Sequence, residues 1–258
     1  MDTDTIITTA TAQLTIEYFK PIFKKYGEYL KNFLAKRTVR KILMFQKNPG
    51  SKIPERIINR FRDIANTKTL QEYYTGLVAC SYTHEEDDDE ILILWNLVEG
   101  TPTRVLLTHF FIYQAIYRAF KGTNNNLQLY SDRGKCSVYI SSKNLQEVLQ
   151  LKDVDSKKIA KYLHYLKVKD LISTFAHGYP QEISAYTIDK KFYTNNSITS
   201  KELGCYITPS NLGAELYLAA HGIKNISVAK FFQIIGLEQP DELIPMSRIG
   251  VCALPIEI

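Results

Sequence analysis

Ile159-Ala160-Lys161-Tyr162-Leu163-His164-Tyr165-Leu166-Lys167-Val168-Lys169-Asp170-Leu171-Ile172 is the stretch on which the fold reading turns. Ile159, Leu163 and Leu166 recur at helical spacing, so they share one face of a helix. The opposite face then shows Lys157, Lys161 and His164, with Lys158 beside them. Asp155 or Ser156 caps the start, because a short oxygen-bearing side chain satisfies a free N–H of the first turn. Lys169-Asp170 ends the helix, and residues 171–175 lead away as a strand.

The neighbouring segments extend the pattern. Val138-Tyr139-Ile140 reads as a short strand. Ser141 or Ser142 caps a helix that turns Leu145, Val148, Leu149 and Leu151 inward. After the 171–175 strand, His177-Gly178-Tyr179-Pro180 turns the chain and residues 183–188 return as a second strand. Upstream, Thr101 followed by Pro102 reads as an N-cap and a first helical position. The helix so opened, 102–120, carries Val105, Leu106, Phe110, Phe111, Ile112, Ile116 and Tyr117, and is apolar on nearly every face. Such a helix is central or at an interface. His109 within it reads as a satisfied core histidine. The order is helix, strand, helix, helix, strand, turn, strand.

This order and the 159–172 spacing resemble the winged helix-turn-helix superfamily of prokaryotic regulators, over residues 102–222. There the recognition helix runs Val-Ser-x-x-Leu-x-x-Leu-x-x-x-Gly-Leu-Ile. Asp170 stands at the usual Gly, a left-handed site that Asp tolerates better than most residues. Tyr206-Ile207-Thr208-Pro209-Ser210-Asn211-Leu212-Gly213-Ala214-Glu215-Leu216 is similar to the strand-to-helix segment after the wing, with Asn211 at a frequent Gly. The 152–155 turn is longer than usual, Gln146 stands where a small residue is common, and the 178–182 turn lacks Lys and Arg.

The resemblance implies an α+β, mainly helical fold and double-stranded DNA as partner. The helix at 156–169 would enter the major groove, where Lys157, Lys158 and Lys161, with His164, reach guanine or phosphate. Ser156 would stand at its start. Ser142 and Lys143 would hold phosphate at the preceding helix start, where free N–H groups and the helix dipole favour an anion. Tyr179 would sit at the wing turn. Such regulators are two-fold dimers, and 102–120, 209–221 and 228–235 are candidate dimer surfaces.

Composition excludes other classes. The 258 residues include 45% hydrophobic and 23% charged, which are globular values. The longest apolar stretch, near 105–120, is interrupted by His109, Gln114 and Arg118 and does not suit a bilayer span. Residues 1–12 lack the basic start and apolar core of a secretory signal, so the chain reads as cytoplasmic. Cys80, Cys136, Cys205 and Cys252 lie far apart and read as reduced thiols. No phosphate loop, His-Glu-x-x-His or Gly-x-Ser-x-Gly is present. No catalytic, metal or cofactor role is therefore expected.

The net charge is +5, but it is unevenly spread. Thirteen Lys or Arg lie in 20–62 against only Glu28 and Glu55. They are either a solvated face or a polyanion-binding surface. Periodicity predicts a long helix at 14–37 and short helices at 54–65 and 70–74. Six acids fill 85–90 between two apolar stretches, 77–82 and 91–95, which reads as a β-hairpin with an acidic tip. Three parts follow: a basic region with a hairpin at 1–100, the winged-helix domain at 101–222, and a C-terminal helix and tail at 223–258.

The leading reading is a winged-helix transcriptional regulator. A plasmid or phage replication or partition protein with two DNA-binding domains is the alternative within the class. A winged-helix scaffold that docks a protein, or an enzyme with its site in 1–100, are the readings from other classes.

Overall fold

The segment read as a β-hairpin is a pair of helices, α1 (Lys68–Ser81) and α2 (Asp89–Glu99). Ile91, Leu94, Trp95 and Val98 are the buried face of α2, at a spacing only a helix brings together. Asp89 and Glu90 occupy its first turn, where a negative charge suits the helix dipole. The structure, a computed structural model, describes residues 68–81, 89–151, 155–179, 182–183, 202–224, 226–237 and 251–253. The basic segment 20–62, the expected helices at 14–37 and 54–65, and residues 85–88 of the acidic run lie outside them. The chain divides into two units, residues 1–100 with 218–225, and residues 101–217 with 226–258.

In the first unit, α1 is buried at every position from Gln71 to Cys80. Gly76 is required there: a Cβ would lie 2.2 Å from the carbonyl oxygens of Ala219 and Ala220. Tyr74 and Trp95 meet edge to face at 5.2 Å, joining α1 to α2. Cys80 Sγ lies 3.8 Å from the Ala219 carbonyl.

The second unit is built on α3 (Thr103–Phe120). The centrality expected of it holds, because the helices Ser142–Leu149 and Ser156–Val168, the strands Val138–Ser141 and Val251–Ala253 and the 3-10 helix Val228–Gln233 all pack on it. Pro102, not Thr101, is its N-cap residue, and no side chain caps the helix. The chain continues through α4 (Tyr130–Lys135), β1 (Val138–Ser141), α5 (Ser142–Leu149), α6 (Ser156–Val168), β2 (Thr174–Gly178), β3 (Gly204–Thr208) and α7 (Asn211–Ala220). A 3-10 helix (Val228–Gln233) and β4 (Val251–Ala253) follow. The last three residues of α7 count with the first unit. The fold is α+β and mostly helical.

The sheet runs β2-β3-β1-β4, antiparallel at every step. Tyr139, Tyr206 and Ala176 stand in register on one face. Ile183 packs on them. Of the return strand expected at 183–188, only Ile183 is described and it is not in a strand; residues 184–188 lie outside the described residues. Glu182 and Ile183 are helical, both donating their N–H to the Tyr179 carbonyl at 3.0 Å. The Glu182 carboxylate reaches back to the Tyr179 N–H at 3.0 Å. That reciprocal arrangement opens a helical turn, and it follows from a glutamate three positions after Tyr179. The strand that pairs β2 is β3, whose Cys205 stands opposite His177. Tyr139 Oη lies 3.2 Å from the Gly178 carbonyl and 2.6 Å from that of Glu202, tying the end of β2 to the approach of β3.

Candidate nucleic-acid interface

Helix α6 is positioned from both ends. Asp155 is its N-cap: its side chain accepts the Lys158 N–H at 3.0 Å and pairs with Lys158 Nζ at 3.2 Å. Those bonds hold the Asp155 carboxyl below its ordinary range. At the far end Asp170 takes φ 55°, the left-handed conformation expected of it. The Leu171 N–H returns to the Leu166 carbonyl at 2.8 Å and the Asp170 N–H to that of Lys167 at 3.0 Å. The pair forms a Schellman closure. Ile159, Leu163 and Leu166 are fully buried, as their spacing requires.

The turn after α6 is anchored in the core. Tyr113 Oη lies 3.0 Å from the Leu171 carbonyl and 3.1 Å from that of Ser210, and accepts the Ser210 N–H at 2.9 Å. Burial raises the Tyr113 hydroxyl pKa well beyond its ordinary value. Ser210 Oγ donates to the Asp170 carbonyl at 2.6 Å and accepts the Gly213 N–H at 3.0 Å. A Cβ on Gly213 would fall 2.2 Å from both the Leu171 carbonyl oxygen and Tyr113 Oη. His109 Nε2 lies 3.1 Å from the Gly213 carbonyl, so that nitrogen carries the proton. Burial pushes the His109 pKa down to about 3. It is the satisfied core histidine that the sequence suggests.

The outer face of α6 carries Lys157, Lys158, Lys161 and His164, all exposed, with Lys167 and Val168 beyond them. Lys158 is occupied by Asp155, and Lys169 Nζ lies 5.9 Å above the Tyr165 ring. Among the described residues no carboxylate pairs with Lys157, Lys161 or Lys167. Ser156 is half-buried in the first turn.

The start of α5 departs from expectation. Ser141, not Ser142, is the cap, accepting the Asn144 N–H at 3.2 Å. Ser142 is 1% exposed, with Oγ 3.2 Å from His177 Nε2 and its N–H donated to the Leu203 carbonyl at 2.8 Å. Its hydroxyl also meets the buried thiol of Cys205. Ser142 is therefore an internal residue, with its N–H and its hydroxyl both engaged inside the unit. Lys143 beside it is exposed. Tyr179 is 47% exposed at the end of β2. Gln146 donates to the Leu151 carbonyl at 3.2 Å, closing the end of α5.

Of the candidate dimer surfaces, two lie on helices that are mostly buried within the chain. Helix α3 is buried at most positions from Val105 to Phe120, and α7 over most of its length. In the 3-10 helix Val228, Phe231 and Phe232 are buried, whereas Ile235 after it is 84% exposed.

Among the described residues no group of three His, Cys, Asp or Glu could hold a metal, and no helix is long and apolar enough to cross a membrane. Cys80, Cys136 and Cys205 are buried free thiols, and burial pushes Cys136 up to about 12. No family model matches the chain, and neither a curated protein nor a solved structure matches it.

Proposed function

We propose that the chain is a cytoplasmic transcriptional regulator whose second unit is a winged helix-turn-helix module. It binds double-stranded DNA with α6 in the major groove, as a homodimer on paired half-sites. The observation that supports this is the lysine face of α6. A helix held at both ends and buried along Ile159, Leu163 and Leu166 leaves Lys157, Lys161 and Lys167 outward, with no carboxylate among the described residues to neutralise them. Free cations on a fixed helix attract a polyanion and displace its counterions. Lys143, Ser156 and Tyr179 flank the same reading as contacts to the backbone.

Fluorescence anisotropy with a random duplex across a salt series tests it. Log affinity should fall steeply with log salt, by about 0.9 for each phosphate neutralised. Lys157→Ala with Lys161→Ala should weaken binding and flatten that slope while melting stays unchanged. Absence of binding at low salt would leave a scaffold that docks a protein. Sedimentation of the chain with a duplex carrying two half-sites tests the dimer, which requires two chains per duplex.

A further inference from the structure

We propose that α6 selects guanine, through donors alone, and this rests on the DNA-binding reading above. Between Ser156 and Val168 the helix reads Ser-Lys-Lys-Ile-Ala-Lys-Tyr-Leu-His-Tyr-Leu-Lys-Val. It holds no Asn, Gln, Asp or Glu. The nearest carboxylate, Asp155, is engaged by the Lys158 N–H and Lys158 Nζ. The outward face therefore offers ammonium hydrogens, and the hydroxyls of Ser156, Tyr162 and Tyr165 are single atoms rather than an amide or carboxylate. Its one ring acceptor, a nitrogen of His164, cannot make a two-point contact.

The major groove sorts bases by that property. Adenine shows an acceptor beside an amino donor, and its two-point partner is Asn or Gln. Cytosine shows an amino donor and calls for a carboxylate. Guanine alone shows two adjacent acceptors, O6 and N7, which a lysine ammonium satisfies. Lys157 and Lys161 are one helical turn apart, about 6 Å along the axis. That is close to two base steps at about 3.4 Å each. The face thus fits guanines spaced by one intervening base. Val168, 68% exposed, is the one apolar side chain beyond them and lies at the opposite end of the helix.

The test is competition at fixed salt among three duplexes of equal length. One is rich in guanine, one holds only A·T pairs, and one is the guanine-rich duplex with every guanine replaced by 7-deazaguanine. The replacement removes N7 and keeps base pairing. The guanine-rich duplex should bind about tenfold tighter than the A·T duplex, the size of one good base contact. The deaza duplex and the Lys157→Ala, Lys161→Ala variant should each lose that preference. A preference that survives deaza replacement would show that the O6–N7 pair is not what α6 reads and overturn the proposal. Equal affinity for all three with a steep salt slope would overturn it too, leaving DNA binding through phosphates intact. No binding at low salt would overturn both readings.

Discussion

The Tyr113 hydroxyl lies 3.0 Å from the carbonyl oxygen of Leu171, so the central helix holds the residue at which the lysine helix gives way to the sheet. The same hydroxyl accepts the Ser210 N–H, and a residue deep in α3 thereby sets where α6 ends. Tyr113→Phe leaves a buried N–H and two carbonyls short of a partner. It should cost about 1–3 kcal/mol in urea unfolding. An unchanged urea midpoint would show that the hydroxyl is dispensable.

Gly213 closes that junction from the other side. Gly→Ala within a helix ordinarily stabilises by up to about 1 kcal/mol. Here the added methyl meets Leu171 and Tyr113 at 2.2 Å, and main chain cannot step aside cheaply. Gly213→Ala should therefore lower the melting temperature, against the helix-propensity trend, and a rise would refute the contact.

Leu163→Ala empties a fully buried position beneath the lysine face. The expected loss is about 2–5 kcal/mol. Lys161→Ala, on the exposed side of the same helix, should stay within about 0.5 kcal/mol of the parent. Denaturant midpoints of the two variants separate the packing face from the outward face.

His109 makes stability depend on pH. Its folded pKa is about 3 against an ordinary 6.5. Between those values the unfolded chain holds a proton that the folded chain refuses, so acid favours unfolding. The contribution is complete above the ordinary value and is lost as pH falls through it. At pH 5 about 2 kcal/mol should be gone, at about 1.4 kcal/mol per unit. His177, also lowered by burial, acts in the same direction. Unfolding midpoints between pH 7 and pH 5 should fall, and His109→Gln should flatten the dependence.

Asp155→Asn separates capping from charge. Asn caps a helix as well as Asp, so melting should barely move. The ion pair that occupies Lys158 disappears, and a negative charge leaves the edge of the lysine face. Duplex affinity should rise, and an unchanged affinity would show that Lys158 takes no part.

The parts of the fold that are readable from sequence are those with one dominant signal. Ile159, Leu163 and Leu166 declare their helix by period, and Asp170 declares its end by standing where a left-handed residue is needed. The two segments that mislead carry competing signals. Ile91-Leu92-Ile93-Leu94-Trp95 is an unbroken apolar run, so neither a period of two nor one of 3.6 stands out. Only the placement of Leu92 and Ile93 outside and Leu94 and Trp95 inside decides it. At Ile183 the β-branched residue suggests a strand, while Glu182, three positions after Tyr179, carries the helical turn found there. Ser142 misleads for a different reason. Serine at either of two consecutive positions can cap, and the choice rests on Leu203 and His177, which are far away in sequence.

Each unit also holds a thiol of its own, Cys80 in one and Cys136 with Cys205 in the other. All three are shut away from solvent, and a neutral buried thiol does not attack a disulfide reagent. Labelling at any of them must wait for its surroundings to open. Peptide-resolved labelling rates would thus clock the opening of the two units separately in a single intact chain, with no probe introduced.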